Sequence, residues 1–310
     1  MTRRRQCEWG FGAMAFDSLD PPKLHRAWHT PCFDNLNKLE WPYGFAVVCF
    51  GVRIGVRASN SDLLEKLRSL LPVDATPYHG KVVDHYFSAV LGGRVEGSRI
   101  RRLHLLYGNQ ELRSRGRDLD LVLHAFEPAF RLMVASLAPR RIFVHAGVVG
   151  WKGHAILFPG KTLSGKTTLV AELVRAGASY FSDEYAVLDA VGRVHPFRKP
   201  LSLRASPTAR QVETPVEALG GKAARRSLPV GLVVMSTYRD GARWRPRTLT
   251  PGQGALAVLA NTITALHAPV RAMTSIREVV VHAPVVKSSR GDAAEVAPLI
   301  LQLLERRARR

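Results

Sequence analysis

Residues 160–167 constrain what this chain can fold into more than any other segment. They read Gly-Lys-Thr-Leu-Ser-Gly-Lys-Thr, and residues 154–158 shortly before them, His-Ala-Ile-Leu-Phe, are typical of a short buried strand. Pro159 and Gly160 end that strand, and the residues from Thr167 onward have helical spacing. The sequence therefore predicts a strand, a glycine-rich loop and a helix in immediate succession.

These eight residues match the pattern G-x-x-x-x-G-K-T, whose chemistry requires that order of elements. Backbone N–H groups of such a loop surround a β-phosphate, and the positive end of the helix dipole adds to the attraction. We expect Lys166 to reach the β- and γ-phosphate oxygens and the Thr167 hydroxyl to bind Mg²⁺. A chance match is the alternative, and the flanking strand and helix argue against it. The candidate nucleotide-binding residues are Gly160, Lys161, Thr162, Leu163, Ser164, Gly165, Lys166, Thr167 and Thr168.

A second strand is predicted after the helix. Four apolar residues recur with helical spacing and form one face, namely Leu169, Val170, Leu173 and Val174. Gly177 is placed to end the helix in the left-handed conformation. Residues 178–182 then form a strand that runs directly into Asp183 and Glu184. This arrangement places an acidic pair at the edge of the sheet where ligands bind in open α/β folds.

The acidic pair has the residue types that phosphoryl transfer requires, a metal ligand and an acceptor for the hydroxyl proton. Adjacent residues on an extended strand point to opposite faces, so we expect different roles unless the chain turns there. Asp183 is the candidate base or orienting residue for the nucleophile, and Glu184 a supporting or metal-linked residue. The candidate metal-binding residues are thus Thr167, Asp183 and Glu184. Two solvated turn residues are the alternative interpretation, which the neighbouring phosphate loop disfavours.

A histidine precedes the loop. Residues 141–149 are predicted to form a strand that is interrupted at 145–147, followed by a hairpin at 150–153. His145 could reach the nucleotide or the acceptor. A lone histidine on an apolar strand is more often a satisfied core residue, and the residues alone favour that reading.

The order of these features resembles the catalytic core of HPr kinase/phosphorylase. It is more similar to the shorter HPr-kinase-related proteins, which include the serine kinases of lasso-peptide pathways. The core similarity covers residues 142–205. Three weaker similarities accompany it, a segment at 196–204, a sheet strand at 228–235 and a late helix at 249–261.

The resemblance implies an α/β fold with a P-loop core of the HPr kinase / PEP carboxykinase-like type. The P-loop kinase domain would span residues 139–310, after a small N-terminal α+β region at 1–138. Lys166 and Thr167 match the phosphate-loop lysine and the metal-binding hydroxyl. Asp183 matches the base for an acceptor serine, and His145 matches the histidine before the hairpin.

The implied activity is transfer of the γ-phosphoryl group of ATP, with Mg²⁺, to a hydroxyl, most simply a serine of a peptide or protein. One alternative acceptor is a small molecule such as free serine or a natural-product hydroxyl. Another alternative is a nucleotide-dependent switch or ATPase without an acceptor, although such a protein would not need a base. HPr kinases are hexamers, so the resemblance also suggests a homo-oligomer.

This chain departs from the HPr kinases at two points. Glu184 stands where those enzymes carry aspartate, and the Gly-rich signature that supports phosphorylase activity has no counterpart. We therefore do not expect HPr as the substrate or dephosphorylation as an activity.

Bulk composition fits an intracellular enzyme. The chain has 310 residues, of which 46% are hydrophobic and 23% charged, which is typical of a globular protein with two domains. No apolar run approaches membrane-spanning length, and the N-terminus lacks the pattern of a secretory signal. Cys7, Cys32 and Cys49 are odd in number and lack metal-ligand spacing. We expect a reducing cytoplasm and no membrane partner.

The net charge of +20 is unusual. It could steer an acidic peptide, a phosphate-rich ligand or nucleic acid to the surface. The excess is mostly arginine spread along the chain, without a recognisable nucleic-acid-binding motif. Dedicated nucleic-acid binding is therefore not expected.

The N-terminal region is less informative. It predicts two strands within residues 45–57 around Gly51, and a helix at 62–71 capped by Asn60 or Ser61. Residues 100–105 and 119–124 suit strands, although 120–137 could equally form a long helix. The region could be a structural lobe or a module that recognises the acceptor, and both readings remain open.

The C-terminal third is predicted to begin with a mobile basic loop at 206–226 beside the site. Four basic residues are candidates for contacting the transferred phosphate or are simply solvated, namely Arg204, Lys222, Arg225 and Arg226. A turn is expected at 239–241 after a strand, and helices at 256–266 and 294–304.

Overall fold

The chain forms two compact units, Met1–Pro139 and Arg140–Arg310. Our computed structural model describes residues 7–8, 36, 41–94, 99, 101–161, 164–203 and 212–308. Both units contain helices as well as strands, so the fold is of the mixed α/β class. No helix in the described part of the chain is both long and apolar enough to cross a lipid bilayer.

The N-terminal unit is built on a six-stranded sheet with the order β10-β9-β6-β3-β2-β4. Its strands are β1 (Cys7–Glu8), β2 (Tyr43–Cys49), β3 (Val52–Ala58), β4 (Thr76–Pro77), β5 (Val82–Val83), β6 (His85–Val90), β7 (Gly93–Arg94), β8 (Arg101–Arg102), β9 (His104–Gly108) and β10 (Glu111–Gly116). The predicted pair of strands around Gly51 is the β2–β3 hairpin. Phe50 and Gly51 form its turn with φ of 48° and 81°, the left-handed values that favour glycine.

Three helices lie in residues 41–139 of this unit, α1 (Ser61–Ser69), α2 (Leu119–His124) and α3 (Phe126–Leu137). Asn60 caps α1, because its side chain accepts a hydrogen bond from the Leu63 N–H at 3.1 Å. The strand reading of 119–124 is wrong, since these residues are helical. The rings of Phe87, Phe126 and Phe130 pack together in the core and tie α3 to the sheet.

The second unit contains ten strands and four α-helices among its described residues. Its strands are β11 (Ile142–Trp151), β12 (His154–Pro159), β13 (Ser179–Ser182), β14 (Tyr185–Leu188), β15 (Arg193–His195), β16 (Leu201–Leu203), β17 (Val212–Thr214), β18 (Leu228–Tyr238), β19 (Arg247–Thr248) and β20 (Val285–Arg290). Its helices are α4 (Lys166–Arg175), α5 (Pro251–Leu259), α6 (Pro269–His282) and α7 (Ala293–Ala308), with 3₁₀ turns at Val216–Leu219 and Ile263–Leu266.

Eight of these strands form a mixed sheet with a hydrophobic cluster on each face, and β16 and β17 pair separately. The order is β12-β11-β14-β15-β18-β20-β19; β13 pairs with β11, and β12 also pairs with β18. One cluster contains the apolar sides of α4 and α7. The other contains the buried residues of α6 and the residues of α5 that face the sheet. Helices therefore cover both faces, as a sheet with parallel pairs requires.

Strand β11 is continuous through residues 145–147, so the predicted interruption is wrong. Gly147 is needed there for packing: an added Cβ would lie 2.7 Å from Cγ2 of Val170 on α4. The glycine marks a close approach of helix to sheet, and the strand does not break at it. The predicted hairpin is confirmed, and Lys152 and Gly153 form its turn with φ of 44° and 82°.

Further differences lie in the C-terminal third. The helix predicted at 256–266 is α5 and ends at Leu259, followed by a 3₁₀ turn. Residues 206–211 of the predicted loop lie outside the described residues, whereas 212–226 include β17 and a 3₁₀ turn. The segment thus has regular structure in part. Helix α6 and strand β20 had no counterpart in the sequence expectations.

Candidate functional site

The glycine-rich loop lies between the end of β12 and the start of α4, in the order that the sequence predicted. The Lys166 side chain folds back over the loop and donates hydrogen bonds to the carbonyl oxygens of Gly160 at 2.8 Å and Lys161 at 2.7 Å. Lys166 is only 9% exposed. Burial lowers its pKa to about 8, while the charge of Asp183 acts in the opposite direction. The ammonium group is therefore held inside the loop at neutral pH.

Helix α4 begins with a glycine in the left-handed conformation. Gly165, the N-cap residue, has φ of 79° and provides no side-chain cap. The first N–H groups of a helix have no partner within the helix, and the dipole makes this end positive. Thr162 and Leu163 lie outside the described residues. Within the described part of the loop, Lys161 and Thr168 are exposed, and Ser164 is half-buried.

The acidic pair forms the turn between β13 and β14. The Ser182 Oγ accepts hydrogen bonds from the backbone N–H of Glu184 at 3.0 Å and of Tyr185 at 2.9 Å, which bends the chain at Asp183. Both β12 and β13 run antiparallel to β11, so their carboxyl ends lie at the same edge of the sheet. The loop and the acidic turn are therefore neighbours.

The side chain of Asp183 is 6% exposed and has three hydrogen-bond donors. The Thr167 hydroxyl donates to its Oδ2 at 3.2 Å, and the Ser202 N–H donates to the same oxygen at 3.2 Å. The Tyr180 hydroxyl lies 3.0 Å from its Oδ1. The contact with Thr167 joins the first turn of α4 directly to the acidic turn.

Glu184 is oriented differently. Its carbonyl oxygen accepts the Ala146 N–H at 3.1 Å, and its carboxylate lies 3.5 Å from the Lys199 ammonium group. The Lys199 Nζ also donates to the Ser202 Oγ at 2.7 Å. Because the chain turns at these residues, the argument from opposite faces of an extended strand does not apply to them. Their carboxylates nevertheless have different neighbours.

His145 lies on β11 between the loop and the acidic turn. Its carbonyl oxygen accepts the Gly160 N–H at 3.1 Å, and the next residue along β11 pairs with Glu184. Burial and, to a smaller extent, the charge of Lys166 lower the pKa of its ring to about 4, while the charge of Asp183 acts in the opposite direction. The imidazole is therefore neutral at pH 7, half-buried, and within the electrostatic influence of both residues.

The basic residues that were candidates for contacting the phosphate differ from the residues above, because those that the structure describes have exposed side chains. The side chains of Lys222, Arg225 and Arg226 are exposed, and Arg204 lies outside the described residues. The backbone of Lys222 pairs with Tyr180, where its carbonyl oxygen accepts the Tyr180 N–H at 2.9 Å. The solvated reading fits these three side chains.

Two residues near the loop were missed from the sequence. Tyr180 contacts Asp183, and Arg290 at the end of β20 donates a hydrogen bond from Nη2 to the Gly165 carbonyl at 2.8 Å. Tyr180 lies on the predicted strand, three residues before Asp183. This closeness along the chain was the signal that could have placed it at the site. For Arg290 the available signal was the run Val285–Arg290, which is rich in β-branched and small residues and ends in a charge.

Comparison with protein-family models finds no match to this chain, and comparison with curated proteins finds no significant relative.

Proposed function

We propose that this chain is an ATP-dependent phosphotransferase with a P-loop core of the HPr-kinase-like type. It would transfer the γ-phosphoryl group to a hydroxyl, in the simplest case a serine of a peptide or protein. The observation that carries the proposal is the 3.2 Å contact between the Thr167 hydroxyl and Asp183. It brings the residue that follows the loop lysine against the acid that would receive the acceptor proton.

The start of α4 supports phosphate binding. Its first N–H groups, its helix dipole and the buried Lys166 ammonium group provide donors and positive charge around one loop. The Lys166 ammonium group donates to the carbonyl oxygens of Gly160 and Lys161. Phosphate oxygens are stronger partners for an ammonium group than these neutral carbonyls. The loop is thus arranged to exchange internal contacts for a phosphate group.

The site also fits a Mg²⁺ ion that is bound mainly by the phosphates of a nucleotide and by water. No group of three or more His, Cys, Asp or Glu side chains in the described ranges is placed to hold a metal ion. Mg²⁺ usually takes one or two protein oxygens and completes its shell with phosphate oxygens and water. Thr167 and Asp183 would provide those protein oxygens, with Glu184 linked through water. The ion would supply charge neutralisation on the phosphates.

Asp183 would orient the acceptor hydroxyl and receive its proton. As the hydroxyl oxygen forms a bond to the γ-phosphorus, the bond from that phosphorus to the β,γ-bridging oxygen breaks and ADP leaves. Lys166 and the loop amides stabilise charge on the transferred group. His145 is neutral at pH 7 and would contact the reactants through hydrogen bonds without adding charge.

The remaining expectations complete this proposal. The N-terminal unit would recognise the acceptor, and the protein would act in the cytoplasm. Its six-stranded sheet and the helices of its described part supply a folded surface of their own. The high positive charge of the chain would attract an acidic acceptor.

The test is transfer from γ-labelled ATP with Mg²⁺ into the soluble peptides and proteins of the host. Wild type is compared with Asp183→Asn, Lys166→Ala and Asp240→Asn, a matched change of an exposed aspartate in a turn. We expect a labelled species with wild type and Asp240→Asn only. Asp183→Asn should keep ATP binding and lose transfer, because it removes the proton acceptor and keeps the shape.

Other outcomes identify other functions. Full activity of Lys166→Ala contradicts the phosphate-site assignment. If Asp183→Asn loses ATP binding and transfer to the same extent, Asp183 acts through Mg-ATP binding or folding and not as the base. Released phosphate without any labelled peptide or protein would point to a small-molecule kinase or an ATPase switch.

A further inference from the structure

Arg290 is a buried arginine without a carboxylate partner among the described residues. It ends strand β20, is 2% exposed and is the largest fully buried side chain of the described chain. Its Nη2 donates to the Gly165 carbonyl at 2.8 Å and its Nη1 to the Gly291 carbonyl at 3.1 Å. Its Nε has no hydrogen-bond partner in the described structure. The guanidinium is thus paired only with neutral groups.

This arrangement is costly to the fold alone. The ring of Tyr238 lies 5.6 Å from the Arg290 Cζ and is its other neighbour. A buried charge with only carbonyl groups and one aromatic ring around it loses more hydration than those partners return. Burial accordingly lowers the pKa of Arg290, and Tyr238 and Asp292 only partly oppose that effect. The cation also lies at the N-terminus of α4, where the helix dipole disfavours positive charge. Lys166 adds a second cation to the same helix end. An anion bound at this helix end would offset the lost hydration of Arg290, its unfavourable interaction with the helix dipole and its repulsion from Lys166.

The contact with Gly165 has a directional consequence. In a planar trans peptide, the carbonyl of one residue and the N–H of the next point in opposite directions. The Gly165 carbonyl accepts two bonds, from Arg290 and from the Leu169 N–H at 3.2 Å. Fixing this oxygen therefore fixes the Lys166 N–H, which points away from Arg290 and out of the N-terminus of α4. The contact also requires a glycine, since a Cβ at Gly165 would lie 2.5 Å from the Arg290 Nη2.

We propose that Arg290 is a positioning residue of the phosphate site. It holds the Gly165–Lys166 peptide so that the Lys166 N–H faces a bound phosphate, and its charge strengthens the attraction of that helix end for anions. The inference rests on the proposed nucleotide binding and adds a residue that the loop pattern does not contain. Arg290 lies 125 residues from Gly165 along the chain.

The test compares wild type with Arg290→Lys and Arg290→Gln. Arg131→Lys is the matched control, because Arg131 is also buried but forms an ion pair with Glu127 in the N-terminal unit. Affinities for Mg-ATP and for inorganic tripolyphosphate are measured by calorimetry, and unfolding midpoints are measured without ligand. Arg290→Lys keeps the charge and loses the planar fork of donors.

We expect Arg290→Lys to weaken both ligands by the same factor, about tenfold, and Arg290→Gln to weaken them further. An equal factor for both ligands places the effect at the phosphates and not at the nucleoside. An unfolding midpoint well above the assay temperature shows that the variant is folded, so that the loss of affinity is not a general loss of structure. Arg131→Lys should leave both affinities unchanged. Unchanged affinity in Arg290→Lys, or an equal loss in Arg131→Lys, overturns the inference while the proposed function stands. A wild type that binds neither ligand overturns both.

A measurement on the unmodified protein guards against variants that do not fold. The side-chain N–H signals of arginine are followed by NMR in ¹⁵N-arginine-labelled wild type during titration with tripolyphosphate. The Arg290 signals should shift with saturable binding, and the Arg131 signals should not. Binding without any shift at Arg290 contradicts the proposal.

Discussion

The Tyr180 hydroxyl lies 3.0 Å from Oδ1 of Asp183 and 2.9 Å from the carbonyl oxygen of Lys199, so its single proton is shared between the two acceptors. Tyr180 is 5% exposed, and burial, followed by the charge of Asp183, raises the pKa of its hydroxyl far above the ordinary value. The phenol therefore remains a donor throughout the physiological range. It fixes the Asp183 carboxylate from the side opposite to the Thr167 contact.

Tyr180→Phe should reduce phosphoryl transfer by lowering kcat roughly tenfold, with little change in KM for ATP. The phenyl ring keeps the packing, but the buried Asp183 oxygen loses a donor, which should cost about 1–3 kcal/mol of stability. Steady-state kinetics and thermal unfolding measure the two effects. Tyr107→Phe in the N-terminal unit is the matched control and should leave kcat unchanged. A Tyr180→Phe enzyme with normal kcat would show that the hydroxyl only serves folding.

Lys166 should make the stability of the ligand-free protein depend on pH. Its pKa is about 8 in the folded chain and 10.5 in the reference state, so the unfolded chain binds more protons between these values. Stability from this group therefore rises with pH across that window, by about 3 kcal/mol in total. Urea unfolding of wild type and Lys166→Met is measured from pH 7 to 11. The difference between their free energies of unfolding gives the contribution of Lys166, because the contributions of the other titratable groups cancel.

The expected result is that wild type gains stability relative to Lys166→Met as the pH rises. A constant difference between the two proteins would contradict the lowered pKa.

Phosphate binding favours the charged ammonium group of Lys166 and should raise its pKa. Calorimetry of ATP binding at pH 9, in buffers of different ionisation enthalpy, should accordingly show proton uptake by wild type.

His145 should titrate well below an ordinary histidine. Its pKa is lowered to about 4 by burial first and by Lys166 second, while Asp183 raises it. NMR titration should therefore show a higher pKa in Lys166→Met and a still lower one in Asp183→Asn. Shifts in the reverse directions would mean that His145 does not sense these two charges.

The same shift predicts acid sensitivity. Below pH 6.5 the unfolded chain protonates this imidazole, and the folded chain does not do so until about pH 4. Stability from His145 is thus present above pH 6.5 and lost as the pH falls towards 4, by about 3 kcal/mol. The free energies of unfolding of wild type and His145→Gln, measured with urea, should therefore change relative to each other between pH 6.5 and pH 4, with wild type losing more stability as the pH falls.

Gly147→Ala should destabilise the second unit by about 1–3 kcal/mol, because the new Cβ would lie 2.7 Å from Val170 Cγ2. The helix that carries Lys166 would have to move away from β11. The double variant Gly147→Ala/Val170→Ala should lose less stability than the sum of the two single variants, since removing the Val170 methyl groups opens the required space. Gly252→Ala in α5, with nothing within 4 Å of its added Cβ, is the control and should cause no loss of stability, because alanine favours a helix more than glycine does. Additive losses in the double variant would place the strain elsewhere.

The local pattern of the chain predicted much of this site. The strand before Gly160, the helix that contains Leu169 and Leu173, and the left-handed Gly177 are all confirmed by the structure. Each of these signals lies within a few residues of the element that it defines, through apolar periodicity or the freedom of glycine. The same local reading was wrong at residues 145–147, because Gly147 is required by the distant Val170 and does not mark a break in the strand.

The sequence by itself determined the order of strand, loop and helix, the position of Lys166 in the loop, and the placement of Asp183 and Glu184 after the next strand. Only the tertiary structure decided that Asp183 meets Thr167, Tyr180 and Ser202, and that Arg290 reaches Gly165. Backbone preferences and side-chain periodicity act over a few residues and are written in the local sequence. Contacts across the sheet depend on strand order and register, which follow from how the whole core packs.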